Sequence, residues 1–281
     1  MGGVKTLYVV ATPIGNLEDI SQRAVRVLGE VGLIAAEDAR VTRKLLGRYG
    51  LTTRLTSYRE ANKRAKQGEL LAELAESDVA LVCDAGTPGI SDAGAELVRA
   101  AAEAGAAVVA IPGASAVTTA IAASGIAAGG GYVFLGFLPR QPGERRRLLA
   151  GVASERRALV CFETPQRVAA ALRDIQDALS DRGIAVCREL TKLHEEVFRG
   201  RVSEAIAHFA EPRGEFTLVI EGATDAAAAD RPSEEAVARR LAELRAGGAS
   251  AKDAVAAVSA EFGVPRRKAY EMWLESAAAS R

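Results

Sequence analysis

The stretch VALVCDAGTPGISDAG, residues 79–94, decides the fold of this chain. An apolar run ends at Cys83, a carboxylate follows at Asp84, and Gly86, Pro88 and Gly89 intervene before a helical pattern resumes past Asp92. A short run that is apolar at every position, rather than alternating, predicts a strand covered on both faces, as in a parallel sheet flanked by helices. The loop behind it has backbone freedom at its glycines and can fold amides and carbonyls around a polar ligand, with Asp84 turned to a cation or a hydroxyl. In open α/β sheets ligands bind beyond the carboxyl ends of strands, which is where this loop falls. The loop's own signals are Asp84, Gly86, Pro88 and Gly89.

The same arrangement recurs on either side. ATPIGNLED, residues 11–19, leaves an earlier apolar run with Pro13 fixing φ, Gly15 permitting close backbone approach, and Asn16 and Asp19 placed as caps. IPGASA, residues 111–116, leaves a later run with Pro112, Gly113 and small side chains that let a bulky ligand lie against the chain. Taken singly, each is accounted for as a strand-to-helix turn. Three at equivalent strand ends point to one ligand gripped from several strands.

Outward from these loops, strand-like runs at 6–11, 33–37, 54–58, 79–84 and 107–111 alternate with helix-forming stretches at 20–31, 40–49, 61–76 and 93–105, the pattern of parallel βαβ units. A second group of strands is predicted at 132–136, 158–163, 184–189, 196–202 and 216–221. Residues 189–195 are too few for a crossover helix, so this sheet is expected to be mixed. The small-residue run AAGGG, 127–131, offers a hinge between the groups, and GATDAAAAD, 222–230, reads as a linker. Helices are predicted beyond it at 233–246, 251–261 and 265–276, with Gly247, Gly248 and Gly263 as stops and Pro265 at a helix start. The expected architecture is α/β: an N-terminal lobe with a parallel sheet over 1–120, a second lobe with a mixed sheet over 121–225, and a small helical domain of helix-turn-helix type over 226–281.

Composition narrows the function. The 36 basic residues equal the 36 acidic ones, so a nucleic-acid site must be a local patch rather than a whole-molecule field. No apolar stretch approaches the roughly 20 residues that cross a bilayer, and a soluble, cytosolic protein without a membrane partner is expected. Cys83, Cys161 and Cys187 each close an apolar run with no CxxC spacing and read as reduced, buried strand-end residues; no metal site is expected. There is no GxGxxG and no GxxxxGK[ST], and Val117 stands where a hydrolase elbow would need glycine.

Together the loops resemble the tetrapyrrole-methylase-like, class III methyltransferases, and within them the branch that methylates a decoding-centre cytidine of bacterial 16S ribosomal RNA on its ribose. The motifs that carry the resemblance are TPIGNLEDI, AAEDARVTRKLL, CDAGTPGISDAG, IPGASA, FLGFLPR, FETPQR, RELTKLHEE and GEFTLVIEG, spread over residues 7–221. The resemblance implies a bilobal homodimer with S-adenosylmethionine between its lobes, acting on 16S rRNA of the small ribosomal subunit. It implies a cofactor cleft lined by Pro13, Ile14, Gly15 and Asn16, by Asp84, Ala85, Gly86, Thr87, Pro88, Ile90 and Ser91, by Pro112, Gly113, Ala114, Ser115 and Ala116, by Phe137, Leu138 and Pro139, and by Thr217, Leu218 and Val219. The chain departs from the family pattern at Ala39, Ala93 and Gln166, where Thr, Pro and His would be looked for. Gln166 removes an imidazole beside Glu163.

Moving a methyl group to a ribose oxygen asks for positioning first and for a base to take the hydroxyl proton second. Asp38 is one candidate base, with Arg40 and Glu163 completing the substrate side. The competing reading is that Glu37 and Asp38 cap the next helix and that Glu163 pairs with Arg167. Basic clusters at 63–66, 140–147, 156–157 and 266–268 are candidates for phosphate contact. Arg140, which directly follows an expected cofactor loop, is favoured with Arg145, Arg146 and Arg147, and Arg167 is a further candidate. Trp273 and Tyr270 are expected in the core of the helical tail. A tetrapyrrole C-methyltransferase on the same fold is the nearest alternative, and a DNA-binding regulator a more distant one.

Overall fold

The structure is a computed structural model and describes residues 5–90, 94–128, 130–224, 234–262, 264 and 266–278. In the first lobe β1 (Thr6–Val10), β2 (Leu33–Ala36), β3 (Leu55–Ser57), β4 (Val79–Val82) and β5 (Ala107–Ile111) form one sheet in the order β3-β2-β4-β1-β5. Every pairing in it is parallel. Successive side chains of a strand point to opposite faces. Val10, Ile34, Ala36, Ala80, Val82 and Ile111 therefore bury one face against α1 (Gln22–Glu30). Leu46 of α2 (Ala39–Arg48), the helix between β2 and β3, joins that layer. Leu7, Leu33, Ala35, Val79 and Leu81 bury the other face under α3 (Lys63–Glu76) and α4 (Gly94–Glu103). Burial on both faces is why VALVC is apolar throughout.

The second sheet is mixed, as expected, and runs β6 (Tyr132–Phe137), β7 (Ala158–Glu163), β10 (Phe216–Ile220), β8 (Gly183–Arg188), β9 (Glu196–Arg201). β10 lies antiparallel to both β7 and β8, and the short 189–195 connection joins an antiparallel pair. One face carries Leu159, Cys161, Ile184, Val186, Leu218 and Ile220 under α6 (Pro142–Gly151), α7 (Pro165–Leu179) and α8 (Val202–His208). Only strands are predicted from the sequence in this half. The helices were legible all the same: Val168, Ala171, Leu172, Ile175 and Leu179 fall on one side of α7 at helical spacing and are buried.

The other face is covered by α5 (Ala116–Ser124), through Val117 and Ala120 packed on Val160, Ala185, Cys187 and Val219. The boundary at 120/121 thus falls inside a helix whose buried side belongs to the second lobe. Ile14, from the first loop of the first lobe, joins the same cluster, so the two lobes share apolar packing.

Past the second lobe come three further helices, α9 (Glu234–Ala246), α10 (Ala251–Phe262) and α11 (Arg266–Ala278). They have their own core, Val237, Leu241, Ala254, Val255, Val258, Ala269 and Trp273. Arg245 stacks on Trp273, its guanidinium carbon 3.8 Å from the ring centroid. Trp273 is in the core as expected, whereas Tyr270 is 48% exposed. Most of the expected 222–230 linker, together with Gly263 and Pro265, lies outside the described residues. No helix among the described residues is long and apolar enough to cross a membrane.

Candidate active site

Because the first sheet is parallel, all five of its carboxyl ends face one way, and three glycine-bearing loops meet there. Thr12 and Gly86 exchange backbone hydrogen bonds of 2.8 and 3.0 Å, and the Thr12 hydroxyl donates to Cys83 O at 3.1 Å. Gly86 has φ +83°, a backbone conformation that costs glycine nothing. Gly113 lies so close to the end of β1 that a Cβ there would sit 3.0 Å from Ala11 Cβ. The second lobe completes the enclosure. A Cβ on Gly15 would sit 2.5 Å from Lys192 Cγ, and Asn16 N donates to Thr191 Oγ1 at 3.0 Å.

Between the lobes lies a cavity of about 350 Å³, within the size range of small-molecule sites. Of the residues expected to hold a cofactor, Ile14, Asp84, Ala85, Gly86, Thr87, Ile90, Ser115, Ala116, Phe137 and Thr217 line it, and so does Glu163. The others are placed elsewhere. Pro13 is buried beside Ile14, Gly15 and Asn16 meet the second lobe, Pro88 borders a separate small void, and Pro112 and Gly113 are exposed. Ala114 packs beside α5, and Leu138 and Pro139 form the loop behind Phe137. Ser91 lies outside the described residues.

Strand alternation corrects two expectations. Thr217 faces the cavity in a row with its register partners, Phe162 on β7 and Cys187 on β8. Leu218 therefore points to the opposite face, into the core under α7, and Val219 returns to the cavity side one step deeper, beneath α5. Sequence reading missed Glu37, Cys83, Val117, Phe162, Thr164, Pro165, Cys187, Leu190, Glu215 and Phe216, which also line the cavity. Several adjoin motif residues already singled out. Cys187 comes in only through sheet register, which a linear sequence does not display.

The lining holds four carboxylates, Glu37, Asp84, Glu163 and Glu215, and no lysine, arginine or histidine among the described residues. Glu163 ends β7 and its side chain is fully buried. Its Oε2 accepts from Thr164 N and pairs with Arg167 Nη2, both at 2.9 Å, while its Oε1 is buried with no hydrogen-bond partner. Burial pushes its pKa above the usual carboxylate value despite Arg167 and Arg145.

Asp38 stands differently. It caps α2 by accepting from Arg40 N at 2.8 Å, and Arg40 Nη2 reaches its other oxygen at 2.7 Å. Those contacts hold its pKa far below the ordinary range. Neither Asp38 nor Arg40 lines the cavity, although Asp38 N donates to Asp84 Oδ1 at 2.8 Å.

Of the expected RNA-contacting arginines, Arg145 is buried and Arg167 half-buried, and both are engaged within the protein. Arg145 is 4% exposed; its Nε donates to Asp174 Oδ2 at 2.7 Å, and its Nη1 reaches Pro139 O at 3.5 Å. Arg167 Nη1 donates to Leu138 O at 3.0 Å while pairing with Glu163. Both hold the loop behind Phe137, because buried carbonyls and carboxylates need donors. Arg140, Arg146 and Arg147 are exposed.

Comparison with known proteins agrees with this fold. Residues 6–206 match the family model of tetrapyrrole (corrin/porphyrin) methylases. The chain is 47% identical over 275 residues to the ribosomal RNA small subunit methyltransferase I of Synechocystis sp., covering 96% of this chain and 97% of that one. It is 40% identical over 273 residues to the protein of that name from Bacillus subtilis, with 95% and 93% covered. The Thermotoga maritima protein of that name is 48% identical over 219 residues, with 77% of this chain and 98% of its own length covered. Among solved structures, uroporphyrin-III-C-methyltransferase from Thermus thermophilus superposes with a TM-score of 0.55 at 20% identity, covering 76% of this chain and 93% of that one. Diphthine synthase does so at 0.60 and 14%, with 78% and 91% covered. The chain belongs to the tetrapyrrole methylase family, among the ribosomal RNA small subunit methyltransferase I proteins.

Proposed function

We propose that this protein is a homodimeric methyltransferase that uses S-adenosylmethionine to methylate the ribose 2′-hydroxyl of a cytidine in small-subunit ribosomal RNA. The names of its full-length relatives support the rRNA substrate. The observation that carries the chemistry is the cavity: four carboxylates, no cation among the described lining, and one buried carboxylate oxygen without a partner. An acidic lining suits a cationic cofactor. It disfavours the alternative, a tetrapyrrole bearing several carboxylates, which would meet like charge on entry.

The residues that fit the cofactor are the 84–87 backbone, Ile14, Ser115, Ala116 and Thr217, with the Phe137 and Phe162 rings, 5.4 Å apart, as an apolar wall. S-adenosylmethionine, when bound, supplies an electrophilic methyl group on a sulfonium. The protein's own task is to place a ribose oxygen and to remove its proton. Glu163 suits the second role: Oε2 is held by Thr164 and Arg167, and Oε1 remains to accept a proton from the 2′-hydroxyl. A raised pKa makes it a stronger base than an ordinary carboxylate, a role generally worth about 10²- to 10⁴-fold. Asp38 serves instead as a positioning residue, seating α2 and orienting Asp84. Arg40, its side chain 85% exposed beside Asp38, and Arg140, Arg146 and Arg147 on the second lobe remain as phosphate contacts.

The test incubates the enzyme with labelled S-adenosylmethionine and small ribosomal subunits from cells lacking it, then maps the label. A cytidine ribose is the expected position. Label on a base, on a precorrin-type tetrapyrrole or on protein overturns the reading.

A further inference from the structure

Although the chain is neutral overall, residues 37–66 hold nine basic side chains against three acidic ones. The three acids are engaged locally: Glu37 lines the cavity, Asp38 pairs with Arg40, and Glu60 pairs with Lys63. The cations are not neutralised in proportion. Arg43, Lys44, Arg59 and Arg64 are exposed, and among the described residues none is within ion-pair distance of a carboxylate. Their placement is also uneven. Arg40, Arg43 and Lys44 fall at i, i+3 and i+4 on α2, opposite the buried Thr42, Leu45 and Leu46, so they form one outward stripe. α2 starts at the carboxyl end of β2. Arg59 and Arg64 follow the carboxyl end of β3, and Arg59 is close enough to Asp38 to help lower its pKa. All of these follow the carboxyl ends of β2 and β3, the end of the sheet at which the cavity opens.

We propose that Arg43 and Lys44 of α2, with Arg59 and Arg64 beyond β3, form a phosphate track that seats the RNA strand on the first lobe, separate from the second-lobe arginines at 140–147. The inference rests on the RNA-methylation reading above. Exposed, unneutralised cations grouped past the carboxyl ends of two neighbouring strands fit a polyanion, and phosphate contacts set the position of a strand without reading its sequence. Lys63 and Lys66, by contrast, spend their charge on Glu60, Glu96 and Glu69.

A control is built into β3. Arg54 precedes this strand and Arg59 follows it, about 16 Å apart at the rise of an extended chain. Arg54 is 72% exposed but lies at the end away from the cavity. The experiment compares full-length Arg43→Glu/Arg59→Glu with Arg54→Glu, measuring binding to small ribosomal subunits against salt, cofactor affinity and thermal unfolding in parallel. The double reversal is expected to weaken RNA binding at least tenfold. It should also flatten the slope of log affinity on log salt by roughly 0.7 for each single-strand phosphate that the protein ceases to neutralise. Arg54→Glu is expected to stay within about twofold, and cofactor affinity should hold in both. Should the double reversal fail to fold, Arg43→Ala/Lys44→Ala carries the same expectation for the slope. Unchanged slope and affinity overturn the track, and so does an equal drop from Arg54→Glu. Because the native thiols are buried, a photo-cross-linker on Arg59→Cys identifies the neighbour: RNA supports the track, and a ribosomal protein overturns it. Failure of the wild type to bind or methylate the subunit refutes the functional reading itself, before any variant is compared.

Discussion

Asp38 and Glu163 each follow the apolar part of a strand, in β2 and β7, and each has an arginine partner, yet the two lobes make different acids of them. In the first lobe the strand runs out into an open rim. Asp38 turns to the start of α2, takes Arg40 with both oxygens and stays ionised far below neutral pH. In the second lobe Glu163 is still inside the sheet, opposite Phe216 of β10, so its carboxylate is buried and only one oxygen is satisfied. The lesson is that a carboxylate at a strand end keeps an unsatisfied oxygen or becomes a helix cap according to what covers it. A paired, exposed carboxylate has little drive to take a proton, whereas a desolvated one with a free oxygen does.

The sharpest way to break the comparison is Glu163→Gln. Turnover is expected to fall by about 10²- to 10⁴-fold while cofactor affinity, measured by calorimetry, changes little. In the wild type the ionised form is the active one, so kcat should rise with pH through the raised pKa of Glu163, and the residual activity of the variant should lose that limb. A variant with wild-type turnover would leave Glu163 a structural acid only.

Next in size is Arg167→Met, which leaves a buried carboxylate without its cation. Removing one partner of such a pair costs about 3 kcal/mol or more while the charge persists. Glu163 has a raised folded pKa, so its contribution to stability is complete below the ordinary carboxylate range and is lost as pH rises through the folded pKa. The variant raises that pKa further. Its deficit in chemical denaturation should therefore grow toward alkaline pH and fade in acid, and a deficit independent of pH would show that Arg167 acts only through Leu138 O.

Gly15→Ala tests how tightly the first loop is pressed on the second lobe. Its Cβ has no room against Lys192, Thr191 and Leu190 O, and overpacking of this kind costs typically about 1–3 kcal/mol. A lowered Tm with weakened cofactor binding is expected; an unchanged Tm would mean that the lobes part freely. The smallest effect should come from Asp38→Asn, since asparagine caps a helix about as well as aspartate. Turnover within about tenfold of wild type is expected, and a loss matching that of Glu163→Gln would return the base role to Asp38.

Much of this was written in the chain. Runs apolar at every position announced strands buried on both faces, and the three glycine loops at residues 11–16, 84–90 and 112–116 fell where the parallel sheet ends. Periodicity and turn chemistry are local properties, so they survive in a linear reading. Resemblance of the motifs located the second-lobe contribution around Phe137 and Thr217. What the motifs could not do was separate neighbours: Thr217 faces the cavity and Leu218 the core because alternation is referred to a sheet whose strand order is set by packing. The arginines show the same limit. Arg145, Arg146 and Arg147 are one cluster in sequence, but α6 turns Arg145 inward to Asp174 and leaves the other two outside.

The sequence by itself therefore determined which segments are strands, which loops carry glycine at their turns, and that three such loops leave the same end of one sheet. Only the tertiary structure decided which carboxylate is buried, which arginines are exposed, and that β10 enters between β7 and β8 to bring Phe162, Thr217 and Cys187 into one row. The physical reason is that desolvation and register are properties of the neighbours a residue acquires on folding, and those neighbours come from distant parts of the chain.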